Sequence, residues 1–359
     1  MKNRWDLLEA FLNDALEKGV FPAASTCIWH RGRFIFYHYG GYAQLIPEKR
    51  ELTQTTLFDL ASLTKPLAAG LVTMWLVENK VIRLDDTLQK FLAAPSDKKD
   101  ITIAQLLSHS AGFAAWRPYY VSWRGEKGLV FSGIILSQIL TGKLEYPPGE
   151  GHIYSDLGFI VLGAVLERAL RMSFSEAFYK VLERFEIPNL IFVRHERKVP
   201  QDVEFAATER CPWRKRVLVG EVHDENAWAM GGVSAHAGLF GTAKAVCQLG
   251  VRLLEIFLGA KGPLKTETVK QFWTYEGTGT HRLAWDSPAP KGSSAGDYFP
   301  PQAVGHTGFT GTSIWIDPMR ELVVVLLTNR VHPSRKNEKI LEFRPKFHNL
   351  LIKIIEGVR

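Results

Sequence analysis

The sequence contains little cysteine and no long hydrophobic segment. Its three cysteines, Cys27, Cys211 and Cys247, are far apart and match no metal-binding spacing. We therefore expect buried thiols in a reducing compartment rather than disulfide bonds. No apolar run approaches the roughly 18 residues that a membrane span needs, and the charged start MKNRWDLLEAFLNDALEKG lacks the apolar region of a signal peptide. The chain as given is expected to be cytoplasmic, or periplasmic if a leader has been removed.

The basic residues lack the clustering that is typical of nucleic-acid-binding proteins. The formal net charge is +7, but the lysines and arginines fall in scattered short runs such as WRKR and SRKNEK. These runs are typical of solvated surface, so we predict no nucleic-acid partner. The sequence also contains no zinc-binding spacing and no internal repeat, and we predict neither a metal ion nor a cofactor.

Hydrophobic periodicity separates the two ends of the chain from its middle. Residues 4 to 18 place apolar side chains at helical spacing, and a final helix is expected to follow Pro345. The segments STCIWHRGRFIFYHYGG and GTSIWIDPMRELVVVLLTN each predict two strands around a turn. Residues 61 to about 260 are mainly helical in pattern. Residues 275 to 302 are rich in Gly, Pro and Ser and predict a long surface loop.

This distribution predicts an α+β fold. An antiparallel sheet is built from both termini and flanked by helices, and a mainly helical lobe is inserted between its strands. We expect a single catalytic domain over residues 1–359 with two lobes. Residues 1–60 plus 262–359 form the predicted α/β lobe, and residues 61–261 form the predicted helical lobe. A chain of 359 residues with 46% hydrophobic content is long enough for such a core.

A serine and a lysine lie three residues apart in LFDLASLTKPLAAGL, where a strand-like run turns into a helix-like one. Pro66 disfavours a continuous helix before it, so the helix is expected to begin near Ser62. On one helical face, Ser62 and Lys65 would form a nucleophile and its base. The alternative is a plain N-cap serine and a surface lysine. The spacing alone does not decide, because Ser96 and Lys99 match it in the polar segment APSDKKD.

The surroundings of Lys65 favour the catalytic interpretation. The positive end of the helix dipole and burial both disfavour an ammonium group. We therefore expect a lowered pKa and a neutral, basic Lys65.

Two further polar triplets lie next to predicted elements. Tyr154, Ser155 and Asp156 form a loop just before another buried helix, in PPGEGHIYSDLGF. The segment GHTGFTG begins a predicted strand, and its glycines allow the backbone to approach a ligand closely.

Together these motifs resemble those of the serine beta-lactamase and penicillin-binding-protein superfamily. The match is closest to the branch of class C beta-lactamases, DD-peptidases and related esterases, and covers roughly residues 20 to 330. It rests on FDLASLTKPL, ITIAQLLSHSAGF, PPGEGHIYSDLGF, GGVSAHAGLFGTA and GHTGFTG. The resemblance implies a beta-lactamase/transpeptidase-like fold and a serine hydrolase that forms a covalent acyl-enzyme.

The resemblance also implies a role for each matching residue. The catalytic residues would be the nucleophile Ser62, its base Lys65 and the second proton-transfer group Tyr154. The substrate and its oxyanion would be held by Asp156, His306, Thr307, Gly308 and Phe309. The oxyanion hole itself would consist of the backbone N–H groups of Ser62 and Phe309.

Two positions depart from the family pattern. Asp156 stands where an asparagine is usual, and His306 stands where a lysine is usual. Both changes weaken attraction for an anionic substrate, so we expect beta-lactams to be poor substrates. We expect His306 to be partly cationic near neutral pH and to change charge between about pH 6 and 8.

Other conspicuous residues are expected to be structural. One loop, which we interpret as a structural loop or pocket rim rather than a metal site, contains His223, Asp224, Glu225 and His236. Similar sequence segments occur in family members that resemble cell-wall DD-carboxypeptidases. His109 is expected to be a buried turn residue. A group of aromatic residues has two possible roles, as a lid over the substrate or as simple packing, and both remain open. The group consists of Trp116, Tyr119, Tyr120 and Trp123.

The leading functional hypothesis is a serine hydrolase of DD-carboxypeptidase or peptidase type that acts on an amide or ester. The alternatives are a short-chain carboxylesterase, a weak beta-lactamase and, from another class, a non-catalytic penicillin-binding or sensor protein. An α/β-hydrolase is disfavoured because the sequence lacks a G-x-S-x-G motif. The expected partner is a small-molecule or peptide substrate, with cell-wall peptides as the implied source.

Overall fold

The computed structural model describes residues 4–195 and 203–357. In chain order, the strands are β1 (Ala23–His30), β2 (Arg33–Gln44), β3 (Arg50–Glu51), β4 (Phe58–Asp59), β5 (Leu190–Phe192), β6 (Arg210–Cys211), β7 (Arg216–Val217), β8 (Leu239–Gly241), β9 (Val304–Thr307), β10 (Ser313–Asp317) and β11 (Leu322–Thr328). The α-helices are α1 (Arg4–Glu17), α2 (Leu71–Glu78), α3 (Ile103–Leu107), α4 (Gly128–Thr141), α5 (Asp156–Leu170), α6 (Phe174–Leu182), α7 (Glu225–Ala229), α8 (Ala243–Phe257), α9 (Thr266–Trp273) and α10 (Ile340–Glu356).

The main sheet joins the two ends of the chain. Its six strands follow the order β3-β2-β1-β11-β10-β9, and every neighbouring pair is antiparallel. The N-terminal and C-terminal strands meet where β1 pairs with β11, with Ile28 opposite Val324. The prediction of an antiparallel sheet built from both termini is confirmed.

Both faces of this sheet are buried, which explains the continuous apolar run of β11. Successive side chains of a strand point to opposite faces. Val324 and Leu326 join the cluster that contains side chains of α1 and α10. Val323 and Val325 join the larger cluster on the other face, where α8 packs against β1 and β11.

The middle of the chain is organised around α5, which packs against α3, α4 and α6. Nine of its residues are buried, so it is nearly apolar all round, as expected for a central helix. The predicted division into two lobes at residues 61 and 261 remains a prediction. Within the described ranges, no helix combines the length and the hydropathy that crossing a membrane requires.

Two sequence predictions about individual segments need correction. The final helix begins at Ile340 rather than after Pro345, which lies inside it. Proline at that position removes only one backbone hydrogen bond of the helix, while burial of Phe347 and Leu351 stabilises it. Residues 275–302 form neither helix nor strand, but Trp285 is completely buried. The segment is therefore a loop that is partly anchored in the core rather than a surface loop.

Candidate active site

A cavity of about 700 Å³ brings the predicted site residues together. Its lining includes Ser62, Tyr154, Asp156 and residues 306–309. Lys65 does not line the cavity but lies directly behind it, completely buried. Its Nζ is 3.0 Å from Ser62 Oγ. The structure therefore places the matching motif residues around one cavity, whereas Ser96 of the second motif copy is exposed in a loop.

Ser62 lies in a strained turn between β4 and the following helical segments. The turn is a 3-10 helix, Ala61–Leu63, and it is followed by a π-helix, Lys65–Gly70, before α2 begins. Ala61 has a φ of 47°, which is unfavourable for a residue with a side chain. The buried Asp59 carboxylate holds this turn by accepting the Ala61 N–H at 2.8 Å and the His223 N–H at 2.6 Å.

The loop after β9 is clamped onto the Ser62 turn. Thr310 Oγ1 donates to the Asp59 carbonyl at 2.7 Å, and Thr312 Oγ1 donates to the Leu60 carbonyl at 3.0 Å. A Cβ atom on Gly308 would lie 2.6 Å from the Leu60 carbonyl oxygen. This close approach requires glycine and brings Phe309 beside Ser62. Whether the N–H groups of Ser62 and Phe309 bind an oxyanion remains a prediction.

Lys65 is held by a carboxylate, which the sequence prediction of a neutral lysine did not include. Its Nζ donates to Asp156 Oδ1 at 2.6 Å and to the His236 carbonyl at 3.3 Å. Burial lowers the pKa of Lys65, but the Asp156 carboxylate and Tyr154 oppose this effect, and the net pKa lies above the ordinary lysine value. The expectation of a lowered pKa is wrong, because a charge partner at this distance outweighs desolvation.

Tyr154 lies next to the Ser62 and Lys65 side chains. Lys65 Nζ is 4.7 Å from the centre of the Tyr154 ring. Burial raises the pKa of Tyr154, although the Lys65 ammonium lowers it, so the resting side chain is a neutral phenol. His109 Nδ1 accepts the Ser155 N–H at 2.9 Å, which fixes the loop before α5. His109 is buried in this turn, as predicted.

His306 is neutral, which corrects the expectation that it is partly cationic. Burial, together with Lys65 and His281, lowers the pKa of His306 to about 3. Its Nδ1 is 2.8 Å from the Thr307 carbonyl oxygen. A carbonyl only accepts, so Nδ1 carries the proton and Nε2 is left as an acceptor. His306 Nε2 is buried and has no hydrogen-bond partner among the described residues.

Sequence reasoning missed two residues of the same wall, His281 and Asp286. Both come from the loop that was predicted to lie on the surface, and both line the cavity. Asp286 is attached to β9 by two backbone hydrogen bonds with Gly305, of 2.8 and 2.9 Å. The apolar run Leu283-Ala284-Trp285 within this polar loop was the signal that could have located them, because it anchors the loop in the core.

The loop with His223 and His236 forms an ion-pair network at the cavity rim. His236 Nε2 is 2.9 Å from Asp224 Oδ1, and His223 Nε2 is 3.1 Å from Glu209 Oε2. Arg335 joins this network through ion pairs with Glu209 and Glu225. Despite burial, hydrogen bonds from His223 and Arg335 lower the pKa of Glu209 to about 2. No three ligands for a metal ion converge in the part of the chain that the structure describes.

The residues of the predicted aromatic group do not all have the same role, and the lid and packing interpretations apply to different members. Trp116 lines the cavity and is 37% exposed. Tyr120 and Trp123 instead pack edge-on against Trp213. The lid interpretation therefore remains open for Trp116, and Tyr120 and Trp123 contribute to packing.

Comparison with known proteins identifies the family. The Beta-lactamase family model matches residues 8–344 of the chain. The chain belongs to the Beta-lactamase family. It is a serine hydrolase of this family, and its antiparallel sheet with flanking helices is the family's beta-lactamase and penicillin-binding-protein fold.

Several individual proteins are similar over most of the chain. A protein of Salmonella enteritidis named putative D-alanyl-D-alanine carboxypeptidase is 30% identical over 375 residues, covering 93% of this chain and 84% of its own. EstCE1, a hydrolase with promiscuous acyltransferase activity, has a TM-score of 0.71 and 23% identity over 96% of this chain and 99% of its own. The octameric penicillin-binding protein homologue from Pyrococcus abyssi has a TM-score of 0.75 and 20% identity over 99% of this chain and 78% of its own.

Proposed function

We propose that this family member hydrolyses an amide or ester through a covalent acyl-enzyme on Ser62, as a peptidase of DD-carboxypeptidase type. The observation that carries the proposal is the 3.0 Å contact between Lys65 Nζ and Ser62 Oγ, beside Tyr154 and inside the family's motif set. The names of the relatives that are 30% identical support the carboxypeptidase type. A carboxylesterase is the second candidate, because an acyl-enzyme on Ser62 would form from an ester as well as from an amide.

The charge state of the site suggests how the Ser62 proton leaves. The resting Lys65 side chain is a protonated ammonium group, so it must release one proton before it can accept the Ser62 proton. We place that proton on Asp156 Oδ1, which is 2.6 Å from Lys65 Nζ. As Ser62 Oγ bonds to the acyl carbon, its proton passes to Lys65 Nζ, and a different Nζ proton passes to Asp156. The total charge of the Lys65–Asp156 pair rises from zero to +1, and the oxyanion that forms on the acyl group carries the balancing negative charge.

The same proton is then available to the leaving group. Tyr154 donates its phenolic proton as the amide or ester bond breaks, and it recovers a proton from Lys65. Lys65 is in turn reprotonated by Asp156. The net result is transfer of the Ser62 proton to the leaving group, with Tyr154, Lys65 and Asp156 restored. Water repeats the sequence in deacylation.

Beta-lactam hydrolysis is expected to be weak. Asp156 supplies a carboxylate where the family pattern has a neutral amide, and His306 is neutral where the pattern has a lysine cation. Both changes lower the affinity for the carboxylate of a beta-lactam. A non-catalytic sensor is disfavoured because Ser62, Lys65 and Tyr154 are all present and adjacent.

The proposal is tested by active-site labelling with a fluorophosphonate, read out by intact mass. We expect one adduct on the native chain and none on Ser62→Ala. The matched control is Ser96→Ala, which removes the serine of the exposed second motif and should label normally. An adduct on Ser62→Ala, or the absence of any adduct on the native chain, would contradict the acyl-enzyme proposal. Hydrolysis of D-Ala-D-Ala peptides, p-nitrophenyl esters and nitrocefin then ranks the substrate classes.

A further inference from the structure

The wall of the cavity that is formed by His306 and Asp286 contains a buried hydrogen-bond acceptor that has no donor among the described residues. His306 Nε2 is an acceptor because Nδ1–H donates to the Thr307 carbonyl, 2.8 Å away. His306 is 3% exposed, and its Nε2 finds no donor among the described residues. A buried acceptor without a partner is unfavourable and is normally satisfied by water or a ligand.

Asp286 adds a carboxylate to the same wall. It is attached to β9 next to His306 by its two backbone hydrogen bonds with Gly305. Its one basic contact in the described parts of the chain is His281 Nδ1, at 3.8 Å. Burial and the neighbouring His152 lower the pKa of His281 to about 3, so this contact carries no positive charge. Asp286 therefore lacks the cation that Asp156 has in Lys65.

We propose that His306 and Asp286 form a subsite for a cationic hydrogen-bond donor of the substrate, an ammonium group close to the bond that is cleaved. This inference rests on the proposed function and deepens it by naming the substrate class. An ammonium group has three N–H donors, so it can donate to His306 Nε2 and to the Asp286 carboxylate at once. A substrate carboxylate at this position would instead meet an acceptor and a like charge.

The three guanidinium groups that line the cavity, those of Arg330, Arg335 and Arg344, do not change this assignment. Arg344 donates to the Thr312 carbonyl at 3.3 Å. Arg330 donates to the Phe309 carbonyl at 2.9 Å, and its ring contact with Phe309 places it behind that residue. Arg335 is paired with Glu209 and Glu225. Arg330 and Arg335 lie near Phe309, whereas His306 and Asp286 lie on or beside β9. The subsite therefore orients a substrate with its ammonium group toward β9.

The test measures protection of Ser62 against fluorophosphonate labelling by three matched ligands. D-Alaninamide carries an ammonium group, N-acetyl-D-alaninamide carries a neutral amide, and N-succinyl-D-alaninamide carries a carboxylate. We expect the concentration of D-alaninamide that halves the labelling rate to be at least about tenfold lower than that of the succinyl compound, because charge-assisted hydrogen bonds are the stronger ones. The acetyl compound should lie between them.

Two variants separate the subsite from general effects on the pocket. Asp286→Asn keeps the shape and should reduce the preference for D-alaninamide by about fivefold or more. His306→Lys replaces the acceptor with a cation and should invert the preference toward the succinyl compound. Glu276→Gln, which removes an exposed carboxylate of the same loop that does not line the cavity, should leave the order unchanged.

The outcomes separate the inference from the function on which it rests. Equal protection by all three ligands, no protection by any of them, or better protection by the succinyl compound overturns the subsite. The same holds if Asp286→Asn keeps the full preference. In each of these cases normal labelling of Ser62 leaves the acyl-enzyme proposal standing. Failure to label the native chain at all overturns the proposed function instead.

Discussion

The two walls of the cavity respond to burial in opposite ways. On the Lys65 wall, a completely buried lysine keeps its proton because Asp156 lies 2.6 Å away. On the β9 wall, the buried His306 loses its proton because burial, Lys65 and His281 together outweigh the nearby Asp286 carboxylate, so that the pKa of His306 falls to about 3. Burial alone would lower the pKa of both groups. A carboxylate in direct hydrogen-bond contact therefore decides the charge of the Lys65 wall, whereas the β9 wall contains a neutral His306 beside the Asp286 carboxylate.

The two walls show how far a sequence motif specifies the chemistry of a site. The Ser62-x-x-Lys65 and His306-Thr307-Gly308 motifs locate the two walls, and the cavity contains residues of both. Their charge depends on residues far away in the sequence, since Lys65 and Asp156 are 91 positions apart.

The largest effect is expected on the Lys65 wall. Lys65→Ala and Tyr154→Phe should each lower the acylation rate by at least about a hundredfold, the lower end of general acid–base contributions. Substrate affinity should change little, because neither side chain is proposed to bind the substrate. Single-turnover acylation of a p-nitrophenyl ester measures the rate directly. A variant that acylates at the native rate would remove that residue from the mechanism.

The second effect concerns stability and belongs to the β9 wall. His306 has a pKa of about 3 in the folded chain and about 6.5 when unfolded. Between these values the unfolded chain binds the additional proton, so this contribution to stability is present above about pH 6.5 and is lost as the pH falls. At pH 5 the loss is about 2 kcal/mol for this one group.

Urea unfolding at pH 5 and pH 7 measures this loss. We expect His306→Gln to reduce the difference in unfolding free energy between the two pH values by about 2 kcal/mol. Gln271→Ala, at an exposed position without an ionisable group, is the control and should leave the difference near its native value. An undiminished pH dependence in His306→Gln would show that His306 titrates normally in the folded chain.

A smaller effect is expected from Asp156→Asn. Asparagine has no carboxylate to accept the Lys65 proton, so acylation by a neutral ester should fall about tenfold at pH 7. The deficit should shrink as the pH rises, because Lys65 then loses its proton to solvent and becomes a base. A purely structural role for Asp156 predicts a deficit that is independent of pH. Native or faster acylation at pH 7 would contradict the proton relay.

The sequence was sufficient for the sheet and for the location of the motifs. The strands around Arg31-Gly32 and Asp317-Pro318 follow from local alternation and turn residues, and both pairs are present. The prediction that the final helix begins after Pro345 was wrong, because the packing of α10 outweighs the loss of one backbone hydrogen bond. The loop with His281 and Asp286 could not be placed, since its position depends on the tertiary burial of Trp285 rather than on any local period.

The protonation states of Lys65 and His306 could not be predicted from the sequence, because they too depend on tertiary contacts. The pKa of Lys65 depends on Asp156, and the pKa of His306 depends on burial and on Lys65. None of these neighbours is adjacent in the chain. The sequence locates the ionisable groups, but the ordinary pKa of an isolated side chain predicts the charge correctly only where that side chain is exposed.

The smallest expected effect is on the pH dependence of KM, which should lack the change that the sequence analysis predicted for His306. A partly cationic His306 would make KM for an anionic ester rise between pH 6 and pH 8, as the cation is lost. With its folded pKa near 3, His306 is neutral over that whole range. The ratio of KM for an anionic ester to KM for a matched neutral ester should therefore stay within about twofold from pH 6 to pH 8, since no charge on this wall changes. In His306→Lys both KM profiles should remain parallel but the anionic ester should bind more tightly at every pH. A ratio that rises about tenfold across this interval in the native chain would mean that His306 carries a proton near neutrality, and the acceptor character of the β9 wall would be lost with it.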